Sequence, residues 1–228
     1  MRIARSDRFL VARLPGPHHG LSWAVVGGGR RRADTVAWHQ VFNRELGPDT
    51  DPRELLRERL REGGVPDAVG LLTSASLAEY ADVERERDGA SARCVATLGL
   101  GNALRAGDPP GIGSTLAAAK VGTINLLVRV SAPLAEEALA EALALAAEAR
   151  TLAVLEAGVR SLRSGLPATG TGTDCIVVAA PGAAPGEEPL AYTGKHTALG
   201  HLVGAAVEEA VRTGIGAWRG ADAKRRGC

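Results

Sequence analysis

Ala168-Thr-Gly-Thr-Gly-Thr-Asp174 runs directly into the apolar segment Cys175-Ile-Val-Val-Ala-Ala180, so this stretch joins a tight turn to a strand. The unbroken apolar run predicts a strand that lies inside the core. The turn before it offers threonine hydroxyls, glycine N–H groups that other atoms can approach closely, and a carboxylate at its end. That composition is typical of a functional site, although a turn in which Asp174 bonds only its own loop is the alternative.

The sequence on either side of this strand contains further strand and helix patterns. Residues 122–130 predict a second buried strand, with Asn125 in its middle. After Ser131 as an N-cap, leucines and alanines recur at helical spacing as far as Leu152. A last helix is predicted over residues 197–212.

The first half of the chain is dominated by strand patterns. A short helix is predicted to begin at Pro52, with Asp51 as its N-cap. Asp88-Gly89 predicts a two-residue hairpin turn between strands at 80–87 and 91–98, because this dipeptide tolerates the positive φ of a type I′ turn.

These patterns predict an α+β fold, in which a mainly antiparallel sheet packs against helices within one domain over residues 1–218. Because strands and helices also alternate in the second half, an α/β arrangement is the alternative. Residues 219–228 are basic and are predicted to form a disordered tail.

Composition limits the classes of function. Lys and Arg number 27 against 26 Asp and Glu, so the net charge of +1 gives no attraction to nucleic acid or to an anionic membrane. An aromatic content of 3% also argues against base stacking. The N-terminal residues lack the apolar run of a signal peptide, and no apolar stretch reaches the roughly 18 residues of a spanning helix. We therefore expect a cytoplasmic protein with a small-molecule substrate, and a homo-oligomer is compatible with the sequence.

Common cofactor and metal motifs are missing from the sequence. Gly170-x-Gly172 and Gly99-x-Gly101 lack the third glycine of a dinucleotide-binding loop, and Pro189 replaces the first glycine that a phosphate loop would need before Lys195. The sequence contains no Gly-x-Ser-x-Gly and no His-Glu-x-x-His. Its three cysteines, Cys94, Cys175 and Cys228, are scattered. We expect no resident metal or cofactor.

Seven short motifs occur in an order that resembles the adenosylcobinamide amidohydrolase family across residues 21–213. They are Val-Phe-Asn43-Arg, Gly70-Leu-Leu-Thr73-Ser-Ala, Thr97-Leu-Gly-Leu-Gly-Asn102-Ala, Gly122-Thr123-Ile-Asn125-Leu-Leu-Val, Ala147-Glu148-Ala-Arg150-Thr-Leu-Ala-Val-Leu, the Thr/Gly run ending at Asp174, and Gly194-x-x-Thr197-x-x-Gly200. The pair formed by the Thr/Gly run and Gly-Thr-Ile-Asn is the most specific. One departure is Ala147-Glu148-Ala149-Arg150, where the family more usually has Thr-Glu-Ala-Lys.

The resemblance implies an enzyme of corrinoid salvage. It would hydrolyse the amide that joins the aminopropanol arm of adenosylcobinamide to the corrin ring, giving adenosylcobyric acid and 1-amino-2-propanol. The cobalt would enter with the corrinoid substrate and would not belong to the protein.

The chemistry of amide hydrolysis ranks the candidate catalytic residues. It requires an activated nucleophile, donors for the oxyanion and a proton for the leaving amine. Asp174, partly desolvated at the start of an apolar strand, is the first candidate for a general base. Thr171 or Thr173 as a covalent nucleophile is the alternative. Glu148 and His196 are further candidates, although Glu148 fits a solvated helix face and His196 fits a helix cap equally well.

The motifs also supply candidate substrate-binding residues. Asparagine amides both donate and accept hydrogen bonds, which suits the amide groups on the rim of a corrin, although bonds to loop backbone would explain them equally well. The complete set of binding candidates is Asn43, Thr73, Asn102, Thr123, Asn125, Gly170, Gly172 and Thr197.

Two other classes of function are compatible with parts of the sequence. A corrinoid-binding module without catalysis would keep the asparagines, but it would not need the intact Thr/Gly run. A nucleotide- or phosphate-binding regulator would use Gly27-Gly-Gly-Arg-Arg-Arg32 and residues 170–172 as anion-binding nests.

Overall fold

The computed structural model describes residues 1–47, 49–110 and 122–226. The α-helices are α1 (Pro52–Glu62), α2 (Glu136–Glu156) and α3 (Ala198–Arg226). The strands are β1 (Arg2–Arg5), β2 (Phe9–Ser22), β3 (Gly29–Gln40), β4 (Val69–Thr73), β5 (Ala81–Arg87), β6 (Ala90–Leu98), β7 (Ala103–Leu104), β8 (Ile124–Val130), β9 (Gly170–Thr171) and β10 (Cys175–Pro181). Short 3-10 turns lie at Asn43–Glu45 and Leu77–Glu79.

In the described part of the chain, eight strands form one mixed sheet. The order is β4-β3-β2-β10-β8-β6-β5, with β1 paired beside β2. The pairs β3–β4 and β8–β10 are parallel, and the others in this sheet are antiparallel. The short strands β7 and β9 form a separate antiparallel ribbon. The predicted α+β class with a mainly antiparallel sheet is therefore confirmed over the α/β alternative.

Two predictions from local sequence patterns, a hairpin turn and a helix N-cap, are also confirmed. Asp88 and Gly89 have φ values of 51° and 78° and join β5 to β6, as the type I′ turn requires. The Asp51 carboxylate accepts a hydrogen bond of 2.8 Å from the backbone N–H of Arg53 and begins α1.

Strand β10 is apolar throughout because both of its faces are buried. Ile176, Val178 and Ala180 belong to the core that packs against α2 and α3. Cys175, Val177 and Ala179 belong to a second core, which contains inward-facing residues of β2, β3, β4, β6 and β8. A third core, on the other face of β3 and β4, packs against α1. The central strand thus places the end of the Thr/Gly run between two packed layers.

Helix α2 begins later than its sequence predicts. Ser131 accepts a hydrogen bond of 2.8 Å from Ser91 N instead of capping the helix, and Ala135 occupies the N-cap position. Along α2, alanines at 138, 142, 146, 149 and 153 are buried. Small side chains on this face let α3 pack closely against it.

Helix α3 continues to Arg226, so residues 219–226 are helical where the sequence predicts a disordered tail. Alanine, lysine and arginine are strong helix formers, and Arg219 donates a hydrogen bond to Ala157 O at the end of α2. The last two residues of the predicted tail lie outside the described residues. Neither α3 nor any other described helix combines the length and apolarity that crossing a membrane would require.

Candidate active site

A cavity of about 210 Å³ lies near the starts of β8 and β10. Its polar wall contains four of the predicted site residues, which come from the end of β4, from the segment between β6 and β7, and from the segments before β8 and β10. These are Thr73, Asn102, Thr123 and Thr173. The remaining lining residues are Val25, Val41, Leu46, Gly47, Thr50, Pro52, Leu72 and Cys175. We call this space the threonine cavity, and none of its described lining residues carries a charged side chain.

Asn125 forms hydrogen bonds to two segments that line the threonine cavity. Its side chain is fully buried, and its Nδ2 donates a hydrogen bond of 2.6 Å to Leu72 O, next to Thr73 at the end of β4. Its Oδ1 lies 2.9 Å from Thr123 Oγ1. Because both ends of the amide have protein partners, Asn125 fixes the position of Thr123 relative to β4.

The hydroxyls of Thr123 and Thr173 bind the chain around them. Thr173 Oγ1 donates to Gly122 O at 3.1 Å, and Thr123 Oγ1 lies 2.8 Å from Thr173 O. Gly122 has room for no side chain, since a Cβ there would lie 2.6 Å from Gly101 N and 2.7 Å from Gly99 O. The motif Gly-Thr-Ile-Asn therefore packs directly against the loop that carries Asn102.

Asp174 lies almost buried and is surrounded by donors. Its carboxylate forms an ion pair with Arg150 of α2, and their side chains are 7% and 13% exposed. The same carboxylate accepts hydrogen bonds from Ile124 N at 2.9 Å, from Thr171 N at 3.0 Å and from the Thr171 hydroxyl. The Asp174 carboxylate therefore connects α2, the start of β8 and the Thr/Gly run.

Gly170 is required for this ion pair. A Cβ on residue 170 would overlap the Asp174 carboxylate and would lie 2.8 Å from Arg150 Nη1. The side chain of Arg150 thus reaches Asp174 across a position where only glycine fits. This contact gives one of the two glycines in the Thr/Gly run a steric explanation.

The second glycine of the run contacts Asn102. Gly172 N donates a hydrogen bond of 3.0 Å to Asn102 Oδ1. Around it, β7 and β9 pair through Ala103 with Thr171 and Leu104 with Gly170. Because the N–H groups of residues 171 and 172 already donate to protein oxygens, this turn differs from the anion-binding nest considered from the sequence.

Glu148, His196 and Thr197 lie away from the threonine cavity. Glu148 forms an exposed ion pair with Lys195, and both line a groove between α2 and α3. Thr197 caps the start of α3, since its hydroxyl donates to Gly194 O and accepts from Gly200 N, each at 2.9 Å. His196 is exposed beside it. Asn43 begins the 3-10 turn after β3, and its side chain lies outside the described part of the structure.

Two residues of the site were not among those predicted from the sequence. Arg150 stands out in the sequence only as a departure from a family motif, yet it supplies the cation for Asp174. No local sequence pattern links Arg150 to Asp174, because their contact depends on how α2 packs against the loop. Cys175 lines the threonine cavity as a neutral thiol, since burial raises its pKa to about 11.

The strand register places three side chains in one row beneath the threonine cavity. Cys175 of β10 pairs with Asn125 of β8, which pairs with Thr97 of β6. Thr97 Oγ1 is buried and has no hydrogen-bond partner among the described residues. In the same part of the chain, no group of three or more His, Cys, Asp or Glu side chains is arranged to hold a metal ion.

Comparison with known proteins gives a consistent result. The family model for adenosylcobinamide amidohydrolase matches residues 1–223. The chain is 32% identical over 198 residues to the adenosylcobinamide amidohydrolase of Methanosarcina mazei, covering 83% of this chain and 86% of that protein. It is 35% identical over 214 residues to the protein of the same name from Halobacterium salinarum, covering 90% and 84%. An uncharacterized protein of Methanocaldococcus jannaschii is 40% identical over 93 residues, covering 40% and 35%.

Proposed function

Because the chain belongs to the adenosylcobinamide amidohydrolase family, we propose that it hydrolyses the amide between the aminopropanol arm and the corrin ring of adenosylcobinamide. The family makes it a hydrolase that acts on an amide. The proposed products are adenosylcobyric acid and 1-amino-2-propanol, formed during corrinoid salvage. A water oxygen adds to the acyl carbon, the C–N bond breaks, and the leaving amine takes up a proton.

The observation that carries this proposal is the assembly of the threonine cavity from separate family motifs. Thr73, Asn102, Thr123 and Thr173 come from four segments of the chain and line one cavity. Hydroxyl and amide groups on an otherwise apolar wall suit a neutral arm that contains an amide and an alcohol.

The cavity is large enough for only one part of the substrate. A space of about 210 Å³ is smaller than the roughly 300–1,000 Å³ of pockets that enclose drug-sized ligands, so it suits the arm and leaves the corrin ring outside. Trp23 and Phe42 are 45% and 46% exposed, and Phe42 follows the lining residue Val41. The Trp23 indole donates to Asp174 O, next to Thr173 and Cys175. The exposed Trp23 indole supplies an apolar surface for the corrin ring, whereas the Phe42 ring already contacts the guanidinium groups of Arg8 and Arg44, 4.8 and 5.6 Å from its centroid.

Asp174 then acts as a positioning residue. Its carboxylate accepts hydrogen bonds from Ile124 and Thr171 and pairs with Arg150, and these contacts set the backbone at Thr173 and Ile124. Thr123 and Thr173 present their oxygens at the cavity wall, where they can accept a hydrogen bond from water or from the arm. No resident metal or cofactor is part of the proposal, because the cobalt arrives within the substrate.

The test is an incubation of the purified protein with adenosylcobinamide in water enriched in ¹⁸O, without added nucleotide. We expect adenosylcobyric acid that carries one labelled oxygen, together with an equal amount of 1-amino-2-propanol, both measured by mass spectrometry. The Asp174→Asn protein serves as the control for contaminating activity. Binding of adenosylcobinamide without turnover would support a corrinoid-binding module, and an absolute requirement for ATP would contradict the proposed reaction.

A further inference from the structure

The Asn102 side chain is held in one orientation. Its Oδ1 accepts the 3.0 Å hydrogen bond from Gly172 N, and a backbone N–H can only donate. The other end of the amide must therefore be the Nδ2 donor. In the described part of the chain this donor has no hydrogen-bond partner, although Asn102 lines the threonine cavity.

Glycine at position 172 keeps this amide accessible. A Cβ on Gly172 would lie 3.4 Å from Asn102 Nδ2 and 3.2 Å from a methyl group of Leu104. Two neighbouring hydroxyl donors are already used, since Thr173 Oγ1 donates to Gly122 O and the single Thr123 hydroxyl proton has two oxygens within reach. The Asn102 amide thus offers fixed N–H groups to a ligand in the cavity.

A fixed and uncommitted N–H donor has a specific use in amide hydrolysis. Negative charge develops on the carbonyl oxygen as water adds, and a donor already in place stabilises that oxygen without reorganising. The low polarity of the remaining cavity wall strengthens such a hydrogen bond.

We propose that Asn102 Nδ2 donates to the carbonyl oxygen of the scissile amide and stabilises the oxyanion, while Gly172 N–H holds the amide in place. This inference rests on the proposed function, because it needs the substrate amide in the threonine cavity. It makes Asn102 a catalytic residue and Gly172 a positioning residue.

Two substitutions separate donation from loop support. Asn102→Asp keeps an oxygen that can accept from Gly172 N–H and removes the N–H donors. Asn102→Ala removes both. We expect each to lower kcat by about a hundredfold to a thousandfold, while the Kd for adenosylcobinamide, measured by equilibrium dialysis with corrin absorbance, changes by less than about threefold.

Gly172→Ala adds one methyl group beside the amide and leaves Asn102 in place. We expect a loss of about tenfold in kcat, because the added methyl group displaces the Leu104 side chain and comes into contact with Asn102 Nδ2, where it restricts access to the donor. The matched control is Gly216→Ala in α3, where nothing lies near the added methyl group, and its kcat should equal that of the parent.

The outcomes distinguish this inference from the proposed function. If the parent protein fails to hydrolyse adenosylcobinamide, the proposed function fails first. If the parent is active and Asn102→Asp keeps its kcat within about tenfold, Asn102 supports only the loop and the inference is overturned. A rise in Kd that accounts for the whole loss would overturn it as well, because the donor would then serve ground-state binding.

Discussion

Arg150 and Asp174 form an ion pair across Gly170, and this contact joins helix α2 to the loop that leads into β10. The two residues are 24 positions apart in the sequence. Burying two charges is unfavourable unless each finds partners, and Asp174 has three further hydrogen bonds. The pair therefore holds a fixed geometry directly beside the threonine cavity.

Asp174→Asn should reduce both stability and turnover. The change leaves Arg150 largely buried without its counter-charge, which costs about 3 kcal/mol in the free energy of unfolding. The displaced loop should lower kcat by at least about a hundredfold. Urea unfolding and steady-state hydrolysis of adenosylcobinamide measure the two effects.

A double substitution distinguishes positioning by Asp174 from a role as general base. Arg150→Gln combined with Asp174→Asn replaces the charged pair with a neutral pair that can still form a hydrogen bond. If Asp174 only positions the loop, the double variant should recover at least about tenfold of the turnover lost in Asp174→Asn. A double variant as inactive as the single one would return Asp174 to the role of base.

Gly170→Ala should destabilise the protein with every charge retained. The added methyl group overlaps the Asp174 carboxylate, so the ion pair must separate or the loop must move. We expect a loss of about 1–3 kcal/mol, the usual cost of overpacking, together with reduced turnover. Gly204→Ala in α3 is the matched control, because its methyl group meets no atom within 4 Å. Equal melting temperatures for the two variants would contradict the steric role of Gly170.

Local sequence signals predict much of this fold. The apolar run of β10 and the Asp88-Gly89 turn act over a few residues, so their structure follows from short-range preferences. The end of α3 is helical although its basic composition predicts a disordered tail. A hydrogen bond from Arg219 to Ala157 O, at the end of α2, supports this helix, and local sequence does not specify that contact.

The candidate site is only partly predictable from sequence, because contacts between distant segments complete it. The motifs identify Thr73, Asn102, Thr123 and Thr173, and the structure brings these four together. The motif containing Thr197 caps a helix, which a family pattern does not distinguish from binding. The partner of Asp174 depends on how α2 docks against the loop, and no spacing within the sequence specifies that contact. The catalytic and binding roles remain predictions.

Thr173→Val tests whether a threonine or water attacks the amide. The change removes a hydroxyl at nearly constant volume and, with it, one hydrogen bond to a backbone carbonyl, worth about 1 kcal/mol. If water attacks, we expect kcat to fall by about tenfold or less. Loss of a covalent nucleophile would instead lower it by roughly a millionfold.

Thr151→Val is the matched control for Thr173→Val. The Thr151 hydroxyl also donates to a backbone carbonyl, Thr169 O, at the same 3.1 Å, but Thr151 does not line the threonine cavity. Both variants should lose similar stability, and only Thr173→Val should change the kinetics. Similar kinetic losses in the two would indicate that the effect comes from loop stability.

The stability of the protein should depend on pH through His39. This histidine is 2% exposed, both ring nitrogens lack partners among the described residues, and its ring lies 4.6 Å from that of Phe9. Burial, reinforced by the nearby positive charges of Arg8 and Arg59 and opposed by Glu45, lowers its pKa from 6.5 to about 4. Between these two values the unfolded chain binds the proton more tightly. The contribution of neutral His39 to the free energy of unfolding should therefore be fully present above pH 6.5. It should fall by about 3 kcal/mol as the pH drops to 4.

His39→Leu should remove this part of the pH dependence. Leucine fills a similar apolar space and cannot be protonated, and neither ring nitrogen has a hydrogen-bond partner among the described residues. Urea unfolding of the parent and the variant at intervals between pH 4 and pH 8 measures the slope. His18, whose pKa burial also lowers, leaves a residual slope in the same direction, and His18→Gln in the same background should reduce it further. If His39→Leu retains the full slope of the parent, the proton uptake belongs to other groups and His39 is not its source.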